Sequence, residues 1–176
     1  RADRVKFTDM ELKQVEGDLV IQDGQVVIQD GKMNLLGGAM DFAGAYDTSE
    51  PGDPGFRFHY DLKSLQFNQA FQFLNSFQAL APVAKFMEGQ FNSDLVVSGK
   101  LGKDLYPILS SIDAEGFLQS LDASMSGITP LQKVGNALNV QELSERIDLK
   151  GIKSWFLIED GTVKVEPFNF SIAGID

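Results

Sequence analysis

The segment NQAFQFLNSFQALAPVAKFMEG, residues 68–89, is the longest stretch with a helical pattern in a chain built otherwise of short alternating runs. Its apolar residues recur at the three- or four-residue spacing that places them on one face of a helix. They are Ala70, Leu74, Phe77, Ala81 and Ala84, with Phe73 and Leu80 widening the stripe. Asn68 is the predicted N-cap, and Pro82 predicts a kink or a restart because it lacks an amide hydrogen. The stripe must be buried, either in a closed core or against an open apolar trough.

The flanking segments predict strands of an antiparallel sheet. Asp23-Gly24 lies between two apolar runs, which is the strongest short signal for a hairpin turn. Asp30-Gly31 and Asp160-Gly161 repeat the dipeptide, and Gly37-Gly38 predicts a bulge or a bend. Residues 56–63 alternate strictly between apolar and polar side chains, so they predict a strand with one buried face.

A second helix is predicted at 129–138. Thr129 is its expected N-cap, and Pro130 occupies the first helical position, where a missing amide hydrogen costs nothing. The apolar pattern resumes after a break at Asn139 and extends this helix as far as Ile147.

We expect residues 1–176 to form a single domain with a weak internal repeat. The segment 156–174 is similar to 19–38 in its turn and in the phase of its apolar residues. Likewise, 79–87 and 127–135 both read as a helix broken by proline. The two halves would be about 1–102 and about 103–176.

Composition excludes several classes of function. The net charge is −10, from 25 acidic and 15 basic residues, which argues against nucleic acid and against a basic patch for an anionic membrane. The chain has no cysteine and only one histidine, His59. It opens on Arg1 rather than Met and stops just after an apparent strand, so we interpret it as an excised fragment whose targeting or anchoring segments can lie outside it.

No catalytic, metal-binding or cofactor-binding constellation is recognisable. The scattered glycines lack the spacing of a phosphate-binding loop, and no G-x-S-x-G motif occurs. Asp41, Asp61, Asp94 and His59 all occupy polar positions of alternating strands, which favours a solvated sheet face over an active site. We therefore expect a protein that is not an enzyme, with no cofactor.

The aromatic content is unusual. The chain has 14 phenylalanines against three tyrosines and one tryptophan, so it carries much apolar surface with few polar groups. Composition by itself favours an ordinary Phe-rich core over a lipid-facing trough, and burial energy does not choose between them because it stabilises both. If lipid binds, the candidate contacts are Phe42, Phe58, Tyr60, Phe73, Phe77, Phe91 and Leu95.

Three segments carry a family resemblance. KMNLLGGAMDFAGAYDT (32–48), FRFHYDLKSLQFNQAF (56–71) and QALAPVAKFMEGQFNSDLVVSGKLG (78–102) resemble the C-terminal region of AsmA-family proteins. The second predicted helix and NVQELSERIDLKGIKSWFLIEDGTVKVEPFNF (139–170) follow in the same order. The resemblance covers nearly the whole chain, although none of its motifs is catalytic.

The resemblance implies a fold and a setting. The expected fold is α+β: a strongly curved, mostly antiparallel sheet, taco-like or half-barrel, with two short Pro-broken amphipathic helices packed on its apolar face or end. The expected setting is the periplasmic side of an inner-membrane-anchored protein in a Gram-negative cell envelope. There the sheet would offer an apolar groove to phospholipid acyl chains, in phospholipid transport and outer-membrane assembly, with the rest of the same polypeptide as its neighbour.

A second hypothesis has a different mechanism. An unpaired sheet edge is a template for strand addition, so the domain could instead be a scaffold. It would then assist the assembly of outer-membrane or other envelope proteins through protein contacts.

Overall fold

The structure, a computed structural model, describes residues 1–7, 10–49, 52, 54–103, 106–141 and 146–169. Most of this part of the chain is antiparallel sheet, with three short α-helices. The strands are β1 (Ala2–Phe7), β2 (Met10–Gln22), β3 (Gln25–Leu35), β4 (Gly38–Asp47), β5 (Gly55–Gln66), β6 (Met87–Glu88), β7 (Gln90–Lys100), β8 (Asp113–Ser120), β9 (Ser124–Ser126), β10 (Arg146–Asp148), β11 (Lys153–Glu159) and β12 (Thr162–Val165). The helices are α1 (Phe67–Phe73), α2 (Asn75–Leu80) and α3 (Thr129–Leu138), and short 3-10 helices span Pro82–Phe86 and Leu109–Ser111.

Nine strands form one open sheet in the described residues. Their order is β1-β2-β3-β4-β5-β7-β8-β11-β12, with every neighbouring pair antiparallel. The sheet does not close on itself, so β1 and β12 are its two edges. The remaining strands form a small second sheet in the order β10-β9-β6.

The tight hairpin turns follow local backbone chemistry. Asp23 and Gly24 both have positive φ, at 50° and 77°, and so do Asp160 and Gly161, at 49° and 70°. Both predicted turns are therefore confirmed. The turn between β3 and β4 uses Leu36 and Gly37, one residue earlier than the predicted bend. Asp30 makes no turn: it lies in a bulge of β3, where the pairing with β4 slips between Ile28 and Gly31.

A pair of turn glycines gives a direct test of this geometry. Gly24→Ala should cost more than Gly161→Ala, because a side chain at Gly24 would meet the Cα of Ser49 at 2.9 Å, whereas at Gly161 the nearest atom is 3.9 Å away. Both variants incur the left-handed backbone penalty of about 1–2 kcal/mol, and only Gly24→Ala adds a clash. Urea denaturation of the two variants would measure the difference; equal losses would contradict the crowding at Gly24.

The segment 68–89 is more broken than predicted. Leu74 is extended and separates α1 from α2, and Nε2 of Gln78 donates a hydrogen bond of 2.7 Å to the carbonyl oxygen of Phe71 across this break. Pro82 begins a 3-10 helix, which confirms the predicted restart. The predicted N-cap is wrong: Gln66 precedes the helix, and Asn68 lies inside its first turn.

The second predicted helix, α3, has the expected bounds, but its ends differ from the prediction. Ile128 holds the N-cap position, without a side-chain hydrogen bond, and Asn139 ends the helix in the left-handed conformation at φ 55°. The extension to Ile147 is wrong, because Ile147 lies in β10. Val134 and Leu138 are 47% and 64% exposed, so this side of α3 faces solvent rather than the sheet.

The main core lies at one end of the large sheet. There α1, α2 and the small sheet cover the apolar side of the strands. Its buried residues are Met10, Leu35, Leu36, Leu65, Phe67, Ala70, Phe91, Ala123, Ile147 and Leu149. A smaller cluster of Ile112, Ala114 and Ile158, joined by Leu80 of α2, lies further along the sheet.

Candidate functional site

Strand pairing assigns one face of the large sheet to apolar side chains. Directly paired residues share a face, so the register defines rows that cross the strands. The first row is Gly31, Phe42, Tyr60, Leu95, Gly116, Phe156 and Val165; the second is Ile28, Gly44, Phe58, Val97, Ala114, Ile158 and Val163; the third is Val26, Tyr46, Phe56 and Gly99. We call these three rows the apolar face. It lies beyond the main core, and its residues Ala114 and Ile158 belong to the smaller buried cluster that Leu80 of α2 joins.

Four of the predicted lipid contacts come together on the apolar face. Phe42, Tyr60 and Leu95 are neighbours in the first row, and Phe58 lies beside them in the second. The ring of Tyr60 stacks on those of Phe58 and Phe42, at centroid distances of 5.8 and 6.4 Å. Tyr46, which the sequence did not single out, extends this group with an edge contact of 4.9 Å to Phe58. The result is a continuous aromatic cluster across β4 and β5, in which Phe58 itself is only 3% exposed.

The other three predicted contacts lie in the core instead. Phe91 is only 4% exposed, and its ring is 4.4 Å from that of Phe67 and 6.3 Å from that of Phe77. Phe73 and Phe77 also pack against the buried cluster under the helices. The seven candidates therefore do not form one surface, because alternation along a strand reveals the face of a residue but not whether a helix covers it.

Glycines placed opposite aromatic rings are the residues that sequence reasoning missed. Gly44 is paired with Phe58, and a Cβ atom at Gly44 would meet that ring at 2.5 Å. In the same way a Cβ at Gly31 would meet the ring of Phe42 at 2.6 Å, and one at Gly116 would meet the ring of Phe156 at 2.8 Å. Each ring therefore lies over its neighbouring glycine rather than standing away from the sheet. The available signal was glycine in the apolar phase of a strand, as at Gly44.

Two tyrosines carry the polar atoms of the apolar face. Burial raises the pKa of Tyr60 to about 12, and it raises the pKa of the half-buried Tyr46 above its usual value. Neither hydroxyl has a hydrogen-bond partner among the described residues. Because their pKa values are raised, both hydroxyls stay protonated across the physiological pH range and can donate a hydrogen bond.

The opposite face of the sheet is polar and carries several ion pairs. Nζ of Lys63 lies 2.9 Å from carboxylate oxygens of both Asp41 and Asp61. The hydrogen bond from Lys63 lowers the pKa of Asp41, and the bonds to Asp61 and Asp41 raise that of Lys63. Nε2 of His59 is 2.9 Å from Asp94. Because all five side chains are substantially exposed, these pairs contribute little stability.

Trp155 and Phe117 place two aromatic rings on this polar side. Trp155 is 58% exposed, and its ring packs against that of Phe117 at 5.3 Å. Within the described residues, no group of three or more His, Asp or Glu side chains is arranged to hold a metal ion. The helices described there are also too short and too polar to cross a membrane.

Comparison with known proteins gives no relative from which a function can be transferred. No family model, no curated protein and no solved structure matches this chain.

Proposed function

We propose that this chain is a non-enzymatic module whose apolar face holds the acyl chains of a phospholipid or a similar lipid. The observation that carries the proposal is that the helices and the small sheet cover only part of the apolar side of the large sheet. Its apolar side chains extend past the helix-covered core, and Leu19, Ile21 and Tyr46 at the far end are 59%, 73% and 37% exposed. Contiguous exposed apolar surface of this kind marks a binding site more often than a free surface.

The dimensions of the apolar face suit an acyl chain. Along β4 the apolar face runs from Phe42 to Tyr46, which is about 13 Å at about 3.3 Å per residue. One leaflet of a bilayer has a hydrocarbon depth of about 15 Å, half the thickness of its core. Each methylene removed from water contributes about 0.8 kcal/mol, so about ten covered methylenes correspond to micromolar affinity before ordering costs.

A strongly curved sheet, taco-like or half-barrel, is part of the proposal. Support comes from irregularities in three strands: Gln14 in β2, Asp30 in β3 and Ser64 in β5 have positive φ, and the pairing register shifts beside each of them. Bulges bend a strand and increase its twist. Curvature toward the apolar side would make the face a trough that surrounds a chain on more than one side.

The setting that we propose follows the family resemblance. The chain would be a periplasmic part of an inner-membrane-anchored protein in a Gram-negative envelope, acting in phospholipid transport and outer-membrane assembly. The rest of the same polypeptide would then continue the trough. The net charge of −10 supports a neutral or apolar ligand over a polyanion such as nucleic acid.

A charge placed in the trough tests the proposal. Phe42→Lys should weaken binding of a fluorescent phosphatidylcholine at least tenfold, because it removes a ring from the trough and places an ammonium group in the path of the acyl chain. Ala43→Lys is the matched control: it adds the same charge one residue further along β4, on the opposite face. Titration should show near-native affinity for this control.

Stability must be measured on the same samples. Thermal unfolding of Phe42→Lys and Ala43→Lys separates lost binding from lost folding. If the unaltered chain binds no phosphatidylcholine, or if the two variants bind it equally well, the proposal fails.

Scaffolding through edge strands is the second candidate, because the open sheet leaves β1 and β12 each paired on one side only in the described residues. The two edges differ in their number of charged residues, which is three in β1 and one, Lys164, in β12. β1 carries Asp3, Arg4 and Lys6, and Arg4 lies 3.6 Å from Glu11, a composition that discourages strand addition. A scaffold would bind no lipid in the titration above.

A further inference from the structure

Polar side chains on the apolar side of the sheet fall into two groups. The first group consists of serines near the core, and each is satisfied by the protein itself. Oγ of Ser93 donates to the carbonyl oxygen of Phe117 at 2.9 Å, and Oγ of Ser154 donates to that of Glu166 at 2.8 Å. Ser120 likewise donates to the carbonyl oxygen of Leu149. These hydroxyls are therefore structural.

The second group consists of Tyr46 and Tyr60. They are the only side chains with a polar atom in the three rows of the apolar face, and their hydroxyls have no partner among the described residues. No fully buried side-chain polar atom in that part of the chain lacks a hydrogen bond. The Tyr60 hydroxyl is therefore not completely buried, and Tyr46 is 37% exposed.

The two tyrosines lie on either side of one ring. Tyr60 stacks on Phe58 with an angle of 18° between the rings, and Tyr46 contacts Phe58 at 60°. Their hydroxyl groups are thus two donors on an otherwise apolar surface. A tyrosine in apolar surroundings normally finds a partner for its hydroxyl, and leaving it unpaired when a ligand covers it would cost binding energy.

The chemistry of the partner follows from these surroundings. It must accept a hydrogen bond and must belong to a molecule that is otherwise apolar. A phosphate would also need a cation, and no lysine or arginine occurs in the three rows. A neutral carbonyl oxygen meets both requirements.

We propose that Tyr46 and Tyr60 donate hydrogen bonds to the ester carbonyl groups of a bound acyl lipid, so that the apolar face selects ester-linked chains over ether-linked ones. This inference rests on the proposed lipid-binding function. It adds the part of the ligand that the site recognises. The acyl chain lies along the rings, and the glycerol end of the molecule stays close to the two hydroxyls.

A matched pair of lipids tests the inference. Diacyl and dialkyl phosphatidylcholine of equal chain length differ in the ester carbonyls that only the first possesses. We expect the unaltered chain to bind the diacyl lipid about three- to tenfold more tightly, the worth of one or two hydrogen bonds. Tyr46→Phe with Tyr60→Phe should abolish that preference by weakening diacyl binding, and should leave dialkyl affinity unchanged.

The possible results distinguish a failure of this inference from a failure of the proposed lipid-binding function. Equal binding of both lipids by the unaltered chain overturns the hydroxyl contacts and leaves lipid binding intact, and so does an equal loss of both lipids in the double variant. Failure to bind either lipid overturns the lipid-binding function and the inference together. Thermal unfolding of the double variant should match that of the unaltered chain, because neither hydroxyl has a partner to lose among the residues that the structure describes.

Discussion

Phe91→Ala is expected to lower the free energy of unfolding by about 3–5 kcal/mol, the usual cost of removing a buried phenyl ring. Phe91 is 4% exposed and lies between the rings of Phe67 and Phe77. Its removal would leave a cavity between the sheet and α2, where close packing allows little collapse. Urea denaturation followed by far-ultraviolet circular dichroism would measure the loss.

Phe42→Ala is the matched comparison. Phe42 is a half-buried ring on the apolar face and lies outside the buried clusters, so its removal should cost only about 1–2 kcal/mol. Its effect on lipid binding should be the larger of the two. If Phe42→Ala and Phe91→Ala destabilise the chain equally, the division between a packed core and an open face is wrong.

Gly44→Val is expected to cost about 3 kcal/mol, at the upper end of the range for overpacking. A Cβ at this position would clash with the carbonyl oxygen of Arg57 and would meet the ring of Phe58 at 2.5 Å. Both are held by the pairing of β4 with β5, so the ring must leave the glycine and disturb its contacts with Tyr46 and Tyr60. Urea denaturation, with proton NMR of the aromatic rings, would show both effects.

Ala43→Val is the control for that substitution. Ala43 is exposed on the polar side of β4, one residue away, and valine suits a strand better than alanine does. We expect its stability to equal or slightly exceed that of the unaltered chain. A comparable loss in Ala43→Val and Gly44→Val would mean that β4 resists any added bulk, and that the ring over the glycine is incidental.

Local signals in the sequence predicted the sheet well. Asp23-Gly24 and Asp160-Gly161 form the expected turns because two consecutive residues with positive φ favour this dipeptide. The alternation in β5 placed Phe58 and Tyr60 on one side and His59 and Asp61 on the other, as the strand pairing confirms. Such features depend only on neighbours along the chain.

Two features could not be predicted from the sequence: which sheet residues the helices cover, and where a helix is interrupted. Both depend on contacts between segments that are distant along the chain. Phe91 and Leu95 have the same phase in β7, yet one is buried under helices and the other lines the apolar face. The break at Leu74 falls at a residue with good helix propensity, where a side chain four residues later bonds across the gap. The position of the Phe58 ring over Gly44 depends on the register between β4 and β5.

The rings that lie over glycines bear on how a guest molecule could move. Side chains that project perpendicular to a sheet form ridges and grooves. A flexible acyl chain would occupy those grooves at regular intervals. Phe42, Phe58 and Phe156 lie over their glycine neighbours instead, which makes the apolar face smoother. If the proposed lipid binds here, its hydrocarbon tail would meet few steps along these strands, and the hydroxyl groups of Tyr46 and Tyr60 would determine where it stops.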